Sequence, residues 1–208
     1  MGGASFFSDQ ARSETRAAVA DVEAQTSAEI VVAVRHRAGE YRDADYLFGL
    51  LCAVALLFVM LFVRHEFSLT AFPVGVVAGF VAGALFASRV TPIRRALTSP
   101  ARRRRWAEVA ARAAFVELGV GATRGRTGVL VLVALFERRV VLVADTGVDT
   151  GVLGEAWTAR VTALQGCLQP SPSLPRFLDA LRGLGGPLGI CLPRAADDVN
   201  ELSDEVAS

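Results

Sequence analysis

The chain has 208 residues, 52% of them apolar, and 22 basic against 21 acidic side chains leave a formal net charge of +1. That balance excludes a partner recognised mainly by charge, nucleic acid above all. Every basic residue is arginine, read here as the codon bias of a GC-rich genome. Three cysteines without ligand spacing suit buried, inert thiols better than a zinc site or a disulfide framework.

The start, Met1-Gly2-Gly3-Ala4-Ser5-Phe6-Phe7, has neither a positive n-region nor an h-region, so no cleaved signal peptide is expected. Gly2 resembles a myristoylation site only faintly, because Phe6 stands where Ser or Thr is required. Ser8 then offers an N-cap with Asp9 in the first turn. Ala11, Thr15, Ala18, Val19 and Val22 share one stripe of the predicted helix. Ile30 to Val34 is a continuous, largely β-branched run, the pattern of a strand covered on both faces.

Two uncharged apolar runs follow, Leu47–Val63 and Phe67–Ala87, separated by Arg64-His65-Glu66. At about 1.5 Å per residue the first barely crosses a hydrocarbon core of roughly 30 Å and the second does so comfortably. A three-residue turn cannot recross, so the runs are expected to form a helical hairpin with both ends on one side. Arg89, Arg94, Arg95 and Arg102–Arg105 flank it, against Arg64 alone in the turn. The positive-inside rule therefore predicts a multi-pass protein of the bacterial inner membrane, with both termini and the soluble part cytoplasmic. Cys52 falls in the first span; Cys167 and Cys191 are expected as free cytoplasmic thiols.

Beyond the arginines, Trp106, Val109, Ala113 and Val116 predict a helix ending at Gly119. Gly128–Phe136 and Val140–Ala144 predict two strands joined by a tight turn through Glu137-Arg138-Arg139. One further helix carries Trp157, Val161, Leu164 and Leu168, and another Leu174, Phe177, Leu178 and Leu181, with Pro170 and Pro172 between them. A Gly/Pro stretch, Gly183–Pro193, reads as irregular, and the acidic end as either a solvated tail or a segment folded back on the domain edge. Neither half alone can bury a core. The expected fold class is α/β: one sandwich with a mixed sheet, its first strand beside the second, interrupted by the inserted two-helix transmembrane hairpin. The corresponding segments are 1–45, the hairpin 46–88, a basic juxtamembrane stretch 89–105, the second half 106–195 and the tail 196–208.

Several stretches resemble the TPM domain family. Glu23-x-x-Thr26-Ser27-Ala28-Glu29-Ile30-Val31-Val32 looks like its opening. Arg124-x-Arg126-Thr127-Gly128-Val129-Leu130, the strand pair and Asp145-x-Gly147 resemble its second half. Pro193-Arg194-x-x-Asp197-Asp198-x-Asn200-Glu201-Leu202 is similar to the end of the bacterial subset in which two membrane helices interrupt the domain. The resemblance implies a TPM-type sandwich. Family members have been described as acid phosphatases or calcium binders, and others act in photosystem repair or with membrane channels. In many relatives the domain lies outside the cytoplasm, whereas the arginine count here places it inside.

The candidate site lies where strands end. Asp145, followed by Asp149 across Gly147, sits on a glycine-bearing loop, and Glu29 and Glu23 can add oxygens, a set suited to calcium or magnesium. Turn and cap roles are the plainer explanation of Asp145 and Asp149. Asp145 is the candidate catalytic residue. Asp145-Thr146-Gly147 imitates an aspartic-protease motif, but a single copy followed by helices does not build that enzyme. Gly119-x-Gly121-x-x-x-Gly125 follows a helix instead of opening one, and so reads as helix termination. His36 and His65 have no triad or zinc partner at useful spacing. Arg102, Arg103, Arg104 and Arg105 are expected to face anionic lipid, at roughly 1 kcal/mol each. Gly75, Gly79 and Gly83 with Gly49 and Ala53 are expected to pack helices closely, within the hairpin or across a dimer. The favoured expectation is a non-catalytic interaction or assembly module whose partner is another membrane protein or a second copy. The alternatives are a divalent-metal-dependent phosphatase and an anionic-lipid surface sensor.

Overall fold

The computed structural model describes residues 4–194, 201–202 and 206–207. The chain divides into two compact units, residues 1–38 with 104–208, and residues 39–103.

In the first unit a short 3-10 turn, Ala4–Phe7, leads into helix α1, Asp9–Glu23. Ser8 caps that helix by accepting from the Ala11 amide at 3.1 Å, and Ala11, Thr15, Ala18, Val19 and Val22 are its buried stripe. Strand β1, Glu29–Arg35, is buried on both faces apart from its last residue. Helix α5, Pro100–Glu117, starts in the last residues of the second unit, and strands β2, Gly128–Ala134, and β3, Arg139–Ala144, follow, then α6, Thr150–Gly166, α7, Leu174–Arg182, and α8, Gly185–Cys191. The sheet order is β1-β2-β3. β1 and β2 run parallel, Glu29 opposite Gly128 through Arg35 opposite Ala134, and β3 returns antiparallel. A run of seven parallel pairs needs a crossover, and the whole of residues 39–103 lies within it.

One face of the sheet (Ile30, Val32, Val34, Val129, Val131, Val133) packs with Val19 and Val22 of α1, Leu164 of α6, Phe177, Leu178 and Leu181 of α7, and Leu188 of α8. The other (Val31, Ala33, Leu130, Leu132) packs on Ala110, Ala111 and Ala114 of α5. Here the expected stripe is corrected. Val109, Ala113 and Val116 are exposed and Trp106 only half-buried, while the buried face of α5 is alanine, from Ala107 to Ala114. Small side chains let this helix lie close on a sheet face that already carries Val and Leu.

Gly183–Pro193, expected to be irregular, contains α8. A Cβ at Gly185 would lie 2.9 Å from the Gln25 side chain and one at Gly189 2.7 Å from the Gln25 carbonyl oxygen. These glycines serve close approach to the loop after α1, a role that local punctuation rules cannot distinguish from a loop.

The second unit is a helical hairpin, α2, Arg42–Phe62, and α3, Ala71–Arg89, followed by α4, Thr91–Leu97. Both long helices have the length and mean hydropathy, 2.4 and 1.9, to cross a membrane. Only 22% and 11% of their most apolar windows are buried, unlike the core helix of a soluble protein. Leu50, Phe58, Phe62, Val74, Val77 and Leu85 are among the exposed side chains. The turn is longer than the three residues expected: residues 63–70 separate the helices, because the apolar run from Phe67 enters helix only at Ala71. Eight residues span at most about 28 Å, still too little to recross.

The hairpin seam is closed at its glycines by backbone and side-chain atoms of the facing helix. A Cβ at Gly49 would meet the Phe80 carbonyl oxygen at 2.6 Å, at Gly75 the Met60 sulfur at 2.7 Å, at Gly79 the Ala53 Cα at 3.3 Å and at Gly83 the Cys52 Cβ at 2.7 Å. Pairing early α2 with late α3 is the antiparallel arrangement. At its open end Arg94 of α4 donates from Nε and Nη2 to the two carboxylate oxygens of Asp45, at 2.8 and 2.6 Å, with side chains 12% and 9% exposed.

Candidate functional site

β1 and β2 begin, and β3 ends, at the same end of the sheet, bringing Glu29, Gly128 and Asp145 together. The loop feeding β2 is tightly built. Gly119 ends α5 in the left-handed region, at φ 64°, and Thr123 Oγ1 accepts from the Thr127 amide at 3.0 Å. Arg126 also holds a positive φ, 56°. A Cβ at Gly128 would fall 2.1 Å from the Val120 carbonyl oxygen, and one at Gly147 2.2 Å from that of Gly125, so each loop rests backbone against backbone. The glycine of Asp145-Thr146-Gly147 is thereby explained by packing: its amide donates to the Arg126 carbonyl at 2.9 Å.

Asp145 is 9% exposed. Its Oδ1 accepts from the Thr146 amide at 2.7 Å. Its Oδ2 is buried and, among the described residues, accepts no hydrogen bond; the Arg126 Nη1 stands 3.8 Å away. Asp149 is the N-cap of α6, Oδ1 accepting from the Gly151 and Val152 amides at 2.9 and 3.2 Å. Glu23 Oε1 accepts from the Ile30 amide at 2.9 Å. Glu29 is buried, with Oε1 accepting from the Glu201 amide at 3.3 Å. Glu201 in turn accepts from the Arg124 amide at 3.0 Å.

Of the four carboxylates expected to share a metal, each thus has its own backbone amide to satisfy. Among the described residues no three His, Cys, Asp or Glu side chains gather in a way that would hold a metal ion. Asp197, Asp198 and Asn200 of the acidic end lie outside the described residues.

The described residues of the acidic end follow the folded-back alternative, while the partners of Thr26 and Ser27 were not anticipated. Glu201 reaches back to Glu29 and Arg124, and Ala207 bridges to β1 beside Ala33. Thr26 and Ser27 hold the end of the domain, Thr26 Oγ1 donating to the Leu192 carbonyl at 2.7 Å and Ser27 Oγ to that of Pro193 at 3.2 Å. No spacing rule links residues that far apart; for Thr26 and Ser27 the signal was a polar pair before an apolar strand.

The arginine run occupies the first turns of α5 instead of preceding the helix. Successive helical side chains are about 100° apart, so four in a row fan around the axis. Arg102 pairs with Asp43, and Arg104 donates to Glu108 at 2.7 Å. That carboxylate pushes the Arg104 guanidinium above its ordinary range, through the hydrogen bond first and its charge second. Cys167 is buried, its thiol donating to the Ala163 and Arg176 carbonyls, and burial pushes its pKa up.

The described residues define a mixed α/β protein, mostly helical, with a three-strand mixed sheet and two helices of membrane-spanning length. No family model matches the chain, and no curated protein matches it. Among solved structures it is similar to the NMR structure of the BA42 protein from the psychrophilic bacterium Bizionia argentinensis, with a TM-score of 0.58 and 17% identity over 97% of this chain and 94% of that one. At that identity the likeness concerns the fold alone.

Proposed function

We propose that the protein is a TPM-type α/β domain tethered to the bacterial inner membrane by its inserted hairpin, and that it works as a non-catalytic interaction or assembly module facing the cytoplasm. One observation carries the reading. β1 and β2 pair in register over Glu29–Arg35 and Gly128–Ala134, although the hairpin separates them in sequence. A hairpin whose two ends are tied into one sheet can be inserted only with both ends on the same face, which makes it an anchor for a single surface domain. The excess of arginine beside the hairpin ends over the turn supports the cytoplasmic side. Affinity purification of the full chain from mild detergent is expected to recover a partner, another membrane protein or a second copy, in fixed stoichiometry. A clean monomer with no partner would contradict it.

The divalent-metal phosphatase is kept as a second reading on the strength of Asp145 Oδ2, a buried carboxylate oxygen beside an arginine. Calcium or magnesium is the cofactor that reading requires. It predicts phosphomonoester hydrolysis dependent on Ca²⁺, Mg²⁺ or Mn²⁺ and abolished in Asp145→Asn. No hydrolysis with any of the three metals, or an activity that survives Asp145→Asn, would remove it.

A further inference from the structure

Ala107, Ala110, Ala111 and Ala114 form the buried side of α5, and the last three pack on the sheet. At about 100° per residue, Arg105, Val109, Arg112 and Val116 fall on the opposite side of the helix, within an arc of about 60°. All four are exposed, Val109 at 47% and Val116 at 78%. Basic and apolar side chains thus alternate, three or four residues apart, along a line of about 17 Å.

This stripe carries no acid. The acidic residues that flank it are held in ion pairs, Glu108 by Arg104 at 2.7 Å and Glu117 by Arg35 at 2.9 Å. Among the described residues neither Arg105 nor Arg112 takes a hydrogen-bond or ion-pair partner. Exposed valines add nothing to helix propensity, but beside arginine they compose an interfacial surface. Methyl groups and arginine stems enter the headgroup boundary while the guanidinium groups meet phosphates. No aromatic side chain, the usual anchor of a protein interface, lies on the line.

Chain continuity favours the same occupant. α5 begins at Pro100, shortly after the membrane-length helix α3 ends at Arg89, and α4 is the one helix between them. Contact with lipid is then intramolecular, so individually weak contacts suffice. Each arginine near an anionic leaflet favours contact about fivefold.

We propose that Arg105, Val109, Arg112 and Val116 lay α5 on the anionic lipid surface of the leaflet where the hairpin ends. The sheet separates α5 from α1, α6, α7 and α8, so that layer is turned away from the membrane and left free for partners. The proposal goes beyond the assembly reading and holds whichever partner that reading recovers.

The test uses the full chain with its native cysteines replaced, reconstituted in nanodiscs of phosphatidylcholine with or without phosphatidylglycerol. Val109→Cys, Val116→Cys and, as reference in α1, Ser13→Cys each carry one environment-sensitive fluorophore. Headgroup-nitroxide lipids are expected to quench positions 109 and 116 at least twofold more than position 13 in the anionic discs. That excess should vanish in phosphatidylcholine alone and in the double variant Arg105→Gln, Arg112→Gln. Were the double variant to misfold, as circular dichroism would show, the two lipid compositions would still decide. Equal quenching at the three positions overturns the proposal, as does an excess that survives without anionic lipid. A label at 109 or 116 shielded from water yet not quenched by the nitroxide lipid puts a protein on the stripe, a second copy or another chain. That outcome overturns the lipid contact and leaves the assembly reading standing.

Discussion

At Gly128 an added Cβ would sit 2.1 Å from the Val120 carbonyl oxygen, whereas at Gly166 it would meet nothing within 4 Å. Gly128→Ala should therefore cost about 1–3 kcal/mol through overpacking, while Gly166→Ala, at the end of α6, should be neutral or gain up to about 1 kcal/mol. Denaturant unfolding of the detergent-solubilised chain, followed on Trp106 and Trp157, checks both; equal effects would refute the close backbone contact. Cys167 makes a separate prediction. Its raised pKa means that the folded state holds the thiol proton more tightly than the unfolded chain does, so its contribution to stability is complete below the ordinary thiol range and lost as pH rises through the folded value. Alkylation near neutral pH should accordingly modify the half-buried Cys191 well before Cys167, as peptide mass spectrometry would report; equal rates would contradict the burial.

At the level of elements, the bidentate pair between Asp45 and Arg94 ties the first turn of α2 to α4. Both side chains are largely buried, so Asp45→Ala, which strands the arginine, should cost about 3–5 kcal/mol. A double-mutant cycle with Arg94→Ala measures the coupling, and additive effects would show the pair to be idle. Elements governed by local periodicity were legible in the sequence: the stripe of α1 from Ala11 to Val22, its Ser8 cap and the twice-covered strand β1. So were β2 and β3, within two residues. What escaped was set by distant contacts. The alanine face of α5 is chosen by the sheet it lies on, and α8 forms in a Gly/Pro-rich stretch because its glycines press on Gln25. At the site, Asp145 and Glu29 could be assigned to strand ends from sequence. The turn role of Asp145 and the cap role of Asp149 were among the readings of the sequence, as was a folded-back acidic end; which amides Asp145 and Glu29 meet, those of Thr146 and Glu201, depends on loop geometry no spacing encodes.

For the whole molecule, the account rests on the two sequence fragments around the hairpin forming one sheet on one side of the bilayer. Thiol labelling in right-side-out and inverted vesicles tests this directly, with single cysteines at Ser13 in α1, Ala156 in α6 and Ser68 in the hairpin turn, all exposed positions, in a chain whose native cysteines are replaced. Positions 13 and 156 should label from the same side, the cytoplasmic one, and position 68 from the other. Labelling of positions 13 and 156 from opposite sides would contradict the account, because β1 and β2 could then never pair.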